Sequence, residues 1–246
     1  MNAPVDPVAG PLAALAGQGF VRIPGSELRA LMGAAGQAAA LLPFVESWER
    51  LETDAFMADG GRYRRRRIAN FSATPGVPGH ARGEHRPHFQ AVVHNTLNGG
   101  LDRWFAPIED AVASSAPLNA LLDLGRSWAE ALAGAHPWFV EVHQFRIEAN
   151  ANAPGYPTPE GVHHDGVDFV IIAMIARTNL VDGETLIEDD DGNRLAQFVL
   201  QEPLDAAFIE DARVKHGVTP IRPADAAKSS CRDVLVVTWK KGGPPG

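Results

Sequence analysis

The sequence predicts an α+β protein, mainly β, whose second half is an antiparallel sandwich or jelly roll with helices packed outside it. Three observations predict this. Apolar residues at helical spacing are confined to the chain before Pro137. After Pro137 come five short β-branched or aromatic runs: Trp138–Ile147, Val167–Ile175, Phe198–Leu200, Val214–Ile221 and Val234–Trp239. Pro, Gly, Asp and Asn cluster between these runs, the punctuation of short strands in stacked or closed β architectures.

Taken in order, Gly19–Gly25 reads as a short strand, and Ser26 as the N-cap of a helix reaching about Leu42. Gly33 and Gly36 each cost that helix roughly 1 kcal/mol against alanine, so it depends on tertiary packing. Tyr63–Ile68 reads as a strand with Arg64 and Arg66 on one face and Arg65 and Arg67 on the other. Gly79–His88 reads as a loop. Asp102–Ser115 and Leu118–Ala133 are helix candidates. In the second, Leu118, Leu121, Leu122, Trp128 and Leu132 recur at helical spacing, with Gly134 as the stop. The acidic stretch Glu188–Gly192, like Gly183–Thr185 before it, reads as a turn between strands and lacks the regular oxygen spacing of a calcium loop. No linker divides the halves. Residues 1–246 therefore read as one domain, with 1–136 as largely helical support plus edge strands and 137–241 as the β core carrying the site.

Composition narrows the function. The 246 residues are 45% hydrophobic and 21% charged with a net charge of −8, which argues against a nucleic-acid or anionic-membrane partner. Cys231 is the single cysteine, so no intrachain disulfide forms and a reducing, cytoplasmic location is expected. Met1–Asp6 lacks the basic stretch of a signal peptide. The longest apolar run, Phe169–Ala176, falls well short of the ~20 residues of a membrane-spanning helix. No feature of the sequence sets an oligomeric state.

Chemistry concentrates at Gly161-Val-His-His-Asp-Gly166. In extended chain His163 and Asp165 project together while His164 points away. Two imidazoles and one carboxylate form the facial triad that leaves positions open on Fe(II), and His216, at the head of a β-like run, is the candidate third ligand. With 9 histidines in 246 residues, chance alone gives roughly 0.6 His-x-Asp pairs, so the pair needs its surroundings to carry weight. Those surroundings include Arg232-Asp-Val-Leu-Val-Val-Thr-Trp239. Arg232, Val234, Val236 and Thr238 share one face of that run, as expected of an arginine at an inward anion site. Arg222, between Ile221 and Pro223, is the alternative arginine.

These segments resemble the Fe(II)/2-oxoglutarate-dependent dioxygenases, in particular the bacterial, isoleucine dioxygenase-like branch of free L-amino-acid hydroxylases. The resemblance runs through Tyr63–Phe71, Asn95–Gly100, Val142–Ile147, Pro157–Phe169, Arg177–Leu180, His216–Ile221 and Arg232–Val237. It implies a double-stranded β-helix, a cupin-like jelly roll with the N-terminal helices outside. It also implies Fe(II) on His163, Asp165 and His216, with 2-oxoglutarate as cosubstrate, O2 as oxidant and ascorbate as the supporting reductant. The guanidinium of Arg232 would hold the C5 carboxylate of 2-oxoglutarate as a bidentate pair that lysine replaces poorly. Gln144 and Thr238 are the further cosubstrate candidates.

The expected activity is hydroxylation of a small polar substrate, a free aliphatic L-amino acid or a derivative. Arg66, Arg146, Asp168 and Arg177 are the candidate substrate contacts. Gln144 and Arg146 share a face of the Val142–Ile147 strand, and a buried ion pair of Arg146 with Asp168 or Glu184 serves equally well there. The Arg64–Arg67 run is compatible with a structural face or with substrate contact, and less so with phosphate binding. His80, His85, His88 and His94 match no zinc spacing. Two other function classes stay open at this point: a non-catalytic cupin-like metal or small-ligand sensor, and a zinc or nickel hydrolase or isomerase on the same triad.

Overall fold

The computed structural model describes residues 9–57, 60–93, 97 and 99–243; Met1–Asp6, His94 and Asn95 lie outside these. Among the described residues five α-helices and thirteen strands follow one another as α1 (Ala9–Gln18), β1 (Phe20–Ile23), α2 (Gly25–Leu31), α3 (Ala38–Glu46), β2 (Glu52–Thr53), β3 (Arg64–Ala73), β4 (Ala81–Arg82), α4 (Asp110–Ala113) and α5 (Ala116–Ala133). Then come β5 (Trp138–Ala149), β6 (Phe169–Thr178), β7 (Leu180–Asp182), β8 (Thr185–Glu188), β9 (Arg194–Phe198), β10 (Ala206–Glu210), β11 (Lys215–Val218), β12 (Ile221–Pro223) and β13 (Ser230–Lys241).

Alternation along the long strands decides the architecture, a jelly roll. The large sheet has the order β1-β10-β6-β13-β5-β3-β2, with β4 on β3. Two smaller sheets, β11-β8-β9 and β12-β7, accompany it, and every strand ladder is antiparallel. One face of the large sheet presents Leu235, Val237, Trp239, Val140, Val142 and Phe169 to the helices, where Leu118, Leu121, Leu122 and Trp128 of α5 complete the main core. The opposite face carries Val170, Ile172, Met174 and Val234 into a second apolar cluster with Ile187 of β8 and Leu200. Burial of apolar side chains on both faces, at ~25 cal/mol per Å2, is what holds strand alternation in register.

Gly125 lets α5 approach the sheet. A Cβ there would lie 2.2 Å from the Trp239 ring, which is fully buried and stacked on Phe208 at 6.1 Å between centroids. Gly125→Ala should therefore lower the thermal unfolding midpoint. Overpacking costs about 1–3 kcal/mol, more than the ~1 kcal/mol that alanine gains in helix propensity. A midpoint that stays or rises would show that helix and sheet separate freely here.

Several sequence expectations need correction. The single helix from Ser26 to Leu42 is broken into α2, a 3-10 turn at Gly33–Gly36 and α3, because Gly33 takes φ +58°. Its start is not capped by Ser26: Gly25 N–H donates instead to Asp205 Oδ1 at 2.8 Å, a carboxylate brought from the far end of the chain. Only Asp110–Ala113 of the proposed Asp102–Ser115 helix is helical. The Tyr63–Ile68 run does not lie at an edge: from Arg64 it forms the start of β3, ten residues long and paired with β5 on one side and β2 on the other. The first 136 residues thus supply interior sheet as well as helices. The Val214–Ile221 run divides into β11 and β12 at Thr219–Pro220. No helix among the described residues is long and apolar enough to cross a membrane.

Candidate active site

The segment 161–168 is an irregular loop, not the strand that alternation suggested, with one bridge in which His163 and His216 exchange both backbone hydrogen bonds at 3.0 Å. Being directly opposite, the two histidines project to the same side, and their rings lie 5.0 Å apart. Asp165 sits between them: Oδ1 is 3.2 Å from His163 Nε2 and Oδ2 is 3.6 Å from His216 Nε2. Neighbouring ligands ~2.1 Å from a common centre stand about 3 Å apart in an octahedral face, so the three groups fit a divalent ion with little movement. Burial alone would raise the Asp165 carboxyl, but the His163 hydrogen bond and the His216 charge hold it well below the carboxylate range. Burial would likewise lower His163, yet the Asp165 hydrogen bond and charge carry it up to about 9. His164 points away, toward the Asp211 carbonyl and Asp190 Oδ1.

Asp211 shapes this loop, and nothing in the sequence marks it. Its carboxylate accepts hydrogen bonds from the backbone N–H groups of Asp165, Gly166 and Val167 at 2.9, 2.8 and 3.1 Å. It also lies 3.8 Å from His216 Nδ1.

The triad borders a cavity of about 140 Å3 enclosed by the inner face of β3, β5 and β13 and by segments 88–90 and 157–167. Arg232, Val234, Val236, Thr238 and Lys240 of β13 all line it. Arg232 is 2% exposed and its Nε and Nη2 have no hydrogen-bond partner. Burial and the nearby Arg177 lower its pKa to about 9.

Of the other expected contacts, Arg66 lines the cavity, but Gln144, Arg146, Asp168 and Arg177 do not. Alternation left open which face of β5 looks inward; it is the one with Glu141, His143, Phe145 and Ile147, not the one with Gln144 and Arg146. Gln144 donates to Ser47 Oγ beneath the helices at 2.7 Å. Arg146 pairs with Asp233 at 2.7 Å and Glu49 at 2.6 Å. Asp168 accepts from the Lys241 N–H at 2.8 Å, and Arg177 donates to the Asp182 carbonyl. Arg222 is an exposed partner of Asp182 and far from an interior anion site.

A second group of ligand-type residues, His88, Glu141 and His143, also faces the cavity. Arg66 Nη2 donates to His143 Nδ1 at 2.8 Å, which leaves His143 Nε2–H to donate to Glu141 at 2.8 Å; His88 Nδ1 bonds the same carboxylate. Burial, opposed by Glu141, lowers His143 to about 4. This cluster is held together by hydrogen bonds among its own groups and from Arg66, whose Nε is buried without a partner. Of the four histidines grouped in the sequence, His88 enters the cavity wall.

Two sheets closed round a cavity with a His–Asp–His group in its wall are the framework of the jelly-roll Fe(II) oxygenases. The chain belongs to the 2OG-Fe dioxygenases: the model of that family matches residues 45–238. Members of that family are oxidoreductases that use Fe(II), 2-oxoglutarate and O2. Among solved structures, a bsmA homolog from Methylobium petroleophilum PM1 is 34% identical with a TM-score of 0.86, covering 100% of this chain and 97% of that one. IDO from Bacillus thuringiensis shares the fold at 19% identity, TM-score 0.81, covering 96% of this chain and 100% of that one. The 3(1)-hydroxy-L-isoleucine 4-dioxygenase of Pantoea ananatis (strain AJ13355) is 25% identical over 163 residues, 65% of this chain and 66% of that protein, just under two thirds of its length.

Proposed function

We propose that His163, Asp165 and His216 hold Fe(II), that Arg232 anchors the C5 carboxylate of 2-oxoglutarate, and that the enzyme hydroxylates a free aliphatic L-amino acid or a close derivative. The observation that carries this is a triad with ligand-atom separations of 3.2 and 3.6 Å opening on the same cavity as a buried guanidinium with two unused donors. When bound, iron and cosubstrate supply the activation of O2 and the oxidation of a C–H bond, with succinate and CO2 as coproducts. The chain's own part is positional. Asp165 contributes the negative charge between two imidazoles. Asp211 fixes the loop that carries two of the three ligands. Arg232 fixes the cosubstrate's far end, with Thr238 on the same face as a further polar contact. Val234, Val236 and Ile172 keep the wall between them dry, which strengthens each of these charge interactions. The amino-acid preference is supported by the Pantoea relative and by the ionic lining of the cavity.

The test is succinate release with Fe(II), 2-oxoglutarate and ascorbate across the proteinogenic L-amino acids. Release stimulated by aliphatic amino acids but not by their methyl esters is the expected result. Turnover of an uncharged compound with no response to any amino acid would overturn the substrate assignment. Binding of metal and 2-oxoglutarate with no succinate from any candidate would favour a sensor.

A further inference from the structure

Four guanidinium groups line the cavity, those of Arg64, Arg66, Arg103 and Arg232, each no more than 6% exposed. Their counter-charges do not match them one for one. The fully buried Asp54 takes Arg64 Nε at 2.7 Å and stands 3.8 Å from Arg66 Nη1. Arg66 is further held by His143 and lies between the rings of Phe105 and Phe145, at 3.7 and 4.4 Å from their centroids. Glu141 is occupied by two imidazoles. Among the described residues no carboxylate lies within ion-pair distance of Arg103, and its Nε and Nη2 are buried without a hydrogen-bond partner, as are Arg64 Nη2 and a single donor of Arg66, Nε.

The placement of Arg103 is not loose. Its backbone exchanges both hydrogen bonds with His88, at 2.9 and 3.0 Å, so the strand-like pair fixes the side chain's origin at the cavity wall. A guanidinium taken out of water without an anion is strongly unfavourable, and a ligand carboxylate is the group whose fork matches it. Glu160 completes the picture from the other sign: its Oε2 is buried without a partner, and its Oε1 lies 3.5 Å from His163.

We propose that Arg103, with the free Nη2 of Arg64, seats the substrate's own carboxylate, and that Glu160 receives a cationic amine carried next to it. Arg232 is thereby left to the cosubstrate, and Arg66, expected from sequence to touch substrate, is a positioning residue fixed by Asp54, His143 and two rings. The inference rests on the reading of the cavity as a 2-oxoglutarate oxygenase site, and adds which side chains select the substrate.

The test uses the full chain with Fe(II), kept anaerobic for the cosubstrate band and supplied with O2 for turnover, and the proteinogenic L-amino acid that best stimulates succinate release. In Arg103→Gln the visible charge-transfer band that forms with 2-oxoglutarate should appear at unchanged cosubstrate concentration. The KM for the amino acid should rise roughly 30-fold or more, the scale of a lost charge-assisted pair in a desolvated pocket. Discrimination against its methyl ester should collapse, and the amino acid should no longer raise the unfolding midpoint. Arg103→Lys, which keeps the charge, should recover part of the affinity, and it decides the matter where Arg103→Gln does not fold: a wild-type KM in the lysine variant overturns the proposal. Glu160→Gln should weaken the amino acid more than its des-amino analogue. Loss of the 2-oxoglutarate band in Arg103→Gln would make Arg103 part of the cosubstrate site, and unchanged KM with intact ester discrimination would make it structural; either overturns the inference alone. Absence of the band in the wild-type protein would instead overturn the underlying reading and this inference with it.

Discussion

Asp165→Ala should abolish iron binding and turnover together. Of the three side chains proposed to hold the metal, Asp165 alone brings a negative charge, and its two oxygens face His163 and His216 at 3.2 and 3.6 Å. With alanine there, two neutral imidazoles remain, too few to retain a hydrated Fe(II) ion. The loss in affinity should exceed the ~10–100-fold typical of changes behind the ligand shell. Iron content after anaerobic reconstitution reads the first effect and succinate release the second. His164→Ala is the matching control, because His164 faces Asp190 at 2.9 Å, outside the cavity. Stoichiometric iron in Asp165→Ala, or its loss in His164→Ala, would sink the assignment.

Arg232→Lys should raise the 2-oxoglutarate requirement sharply, and Arg232→Ala more so. A bidentate, desolvated guanidinium–carboxylate pair is worth about 2–5 kcal/mol on truncation, or roughly 30-fold to several thousand-fold in affinity. The effect should fall on 2-oxoglutarate and spare iron loading. Arg222→Ala should change neither, since Arg222 is spent on Asp182 at the surface. A second expectation follows from the two unused donors of Arg232. Arg232→Met should not lower the unfolding midpoint of ligand-free protein, because it removes an unsatisfied buried cation. It should, however, erase the stabilisation that 2-oxoglutarate confers on the wild type. Were Arg222→Ala the variant that lost 2-oxoglutarate, the anchor would be misassigned.

What the sequence made legible follows from how local each signal is. The inward face of β13 was readable because Arg232, Val234, Val236 and Thr238 alternate with Leu235, Val237 and Trp239 over a long uninterrupted strand. His163 and Asp165 fall on one side as expected, although through an extended loop rather than a strand. On β5 alternation divided the residues correctly but could not say which set looked inward, because both faces carry polar groups. Gln144 finds Ser47, 97 residues away, and Arg146 finds Glu49 and Asp233. Arg103 and Asp211 lay beyond reach for a different reason. Each sits in irregular chain, and its partners, the backbone of His88 in one case and the loop amides of Asp165–Val167 in the other, are not sequence neighbours. No periodicity encodes such contacts.

The three amides gathered by Asp211 bear on which element the protein ends up carrying. A loop already folded around an internal carboxylate takes up an ion by rigid capture, with no segment left to order and no reshaping by which to refuse a competitor. Two imidazoles and a carboxylate bind Co(II), Ni(II) and Cu(II) more tightly than Fe(II) in the Irving–Williams order, and Zn(II) readily as well. In the proposed site the occupant is then decided by cellular metal supply at the time of loading, and recombinant protein made in a zinc- or nickel-rich medium would be filled, correctly folded and inert.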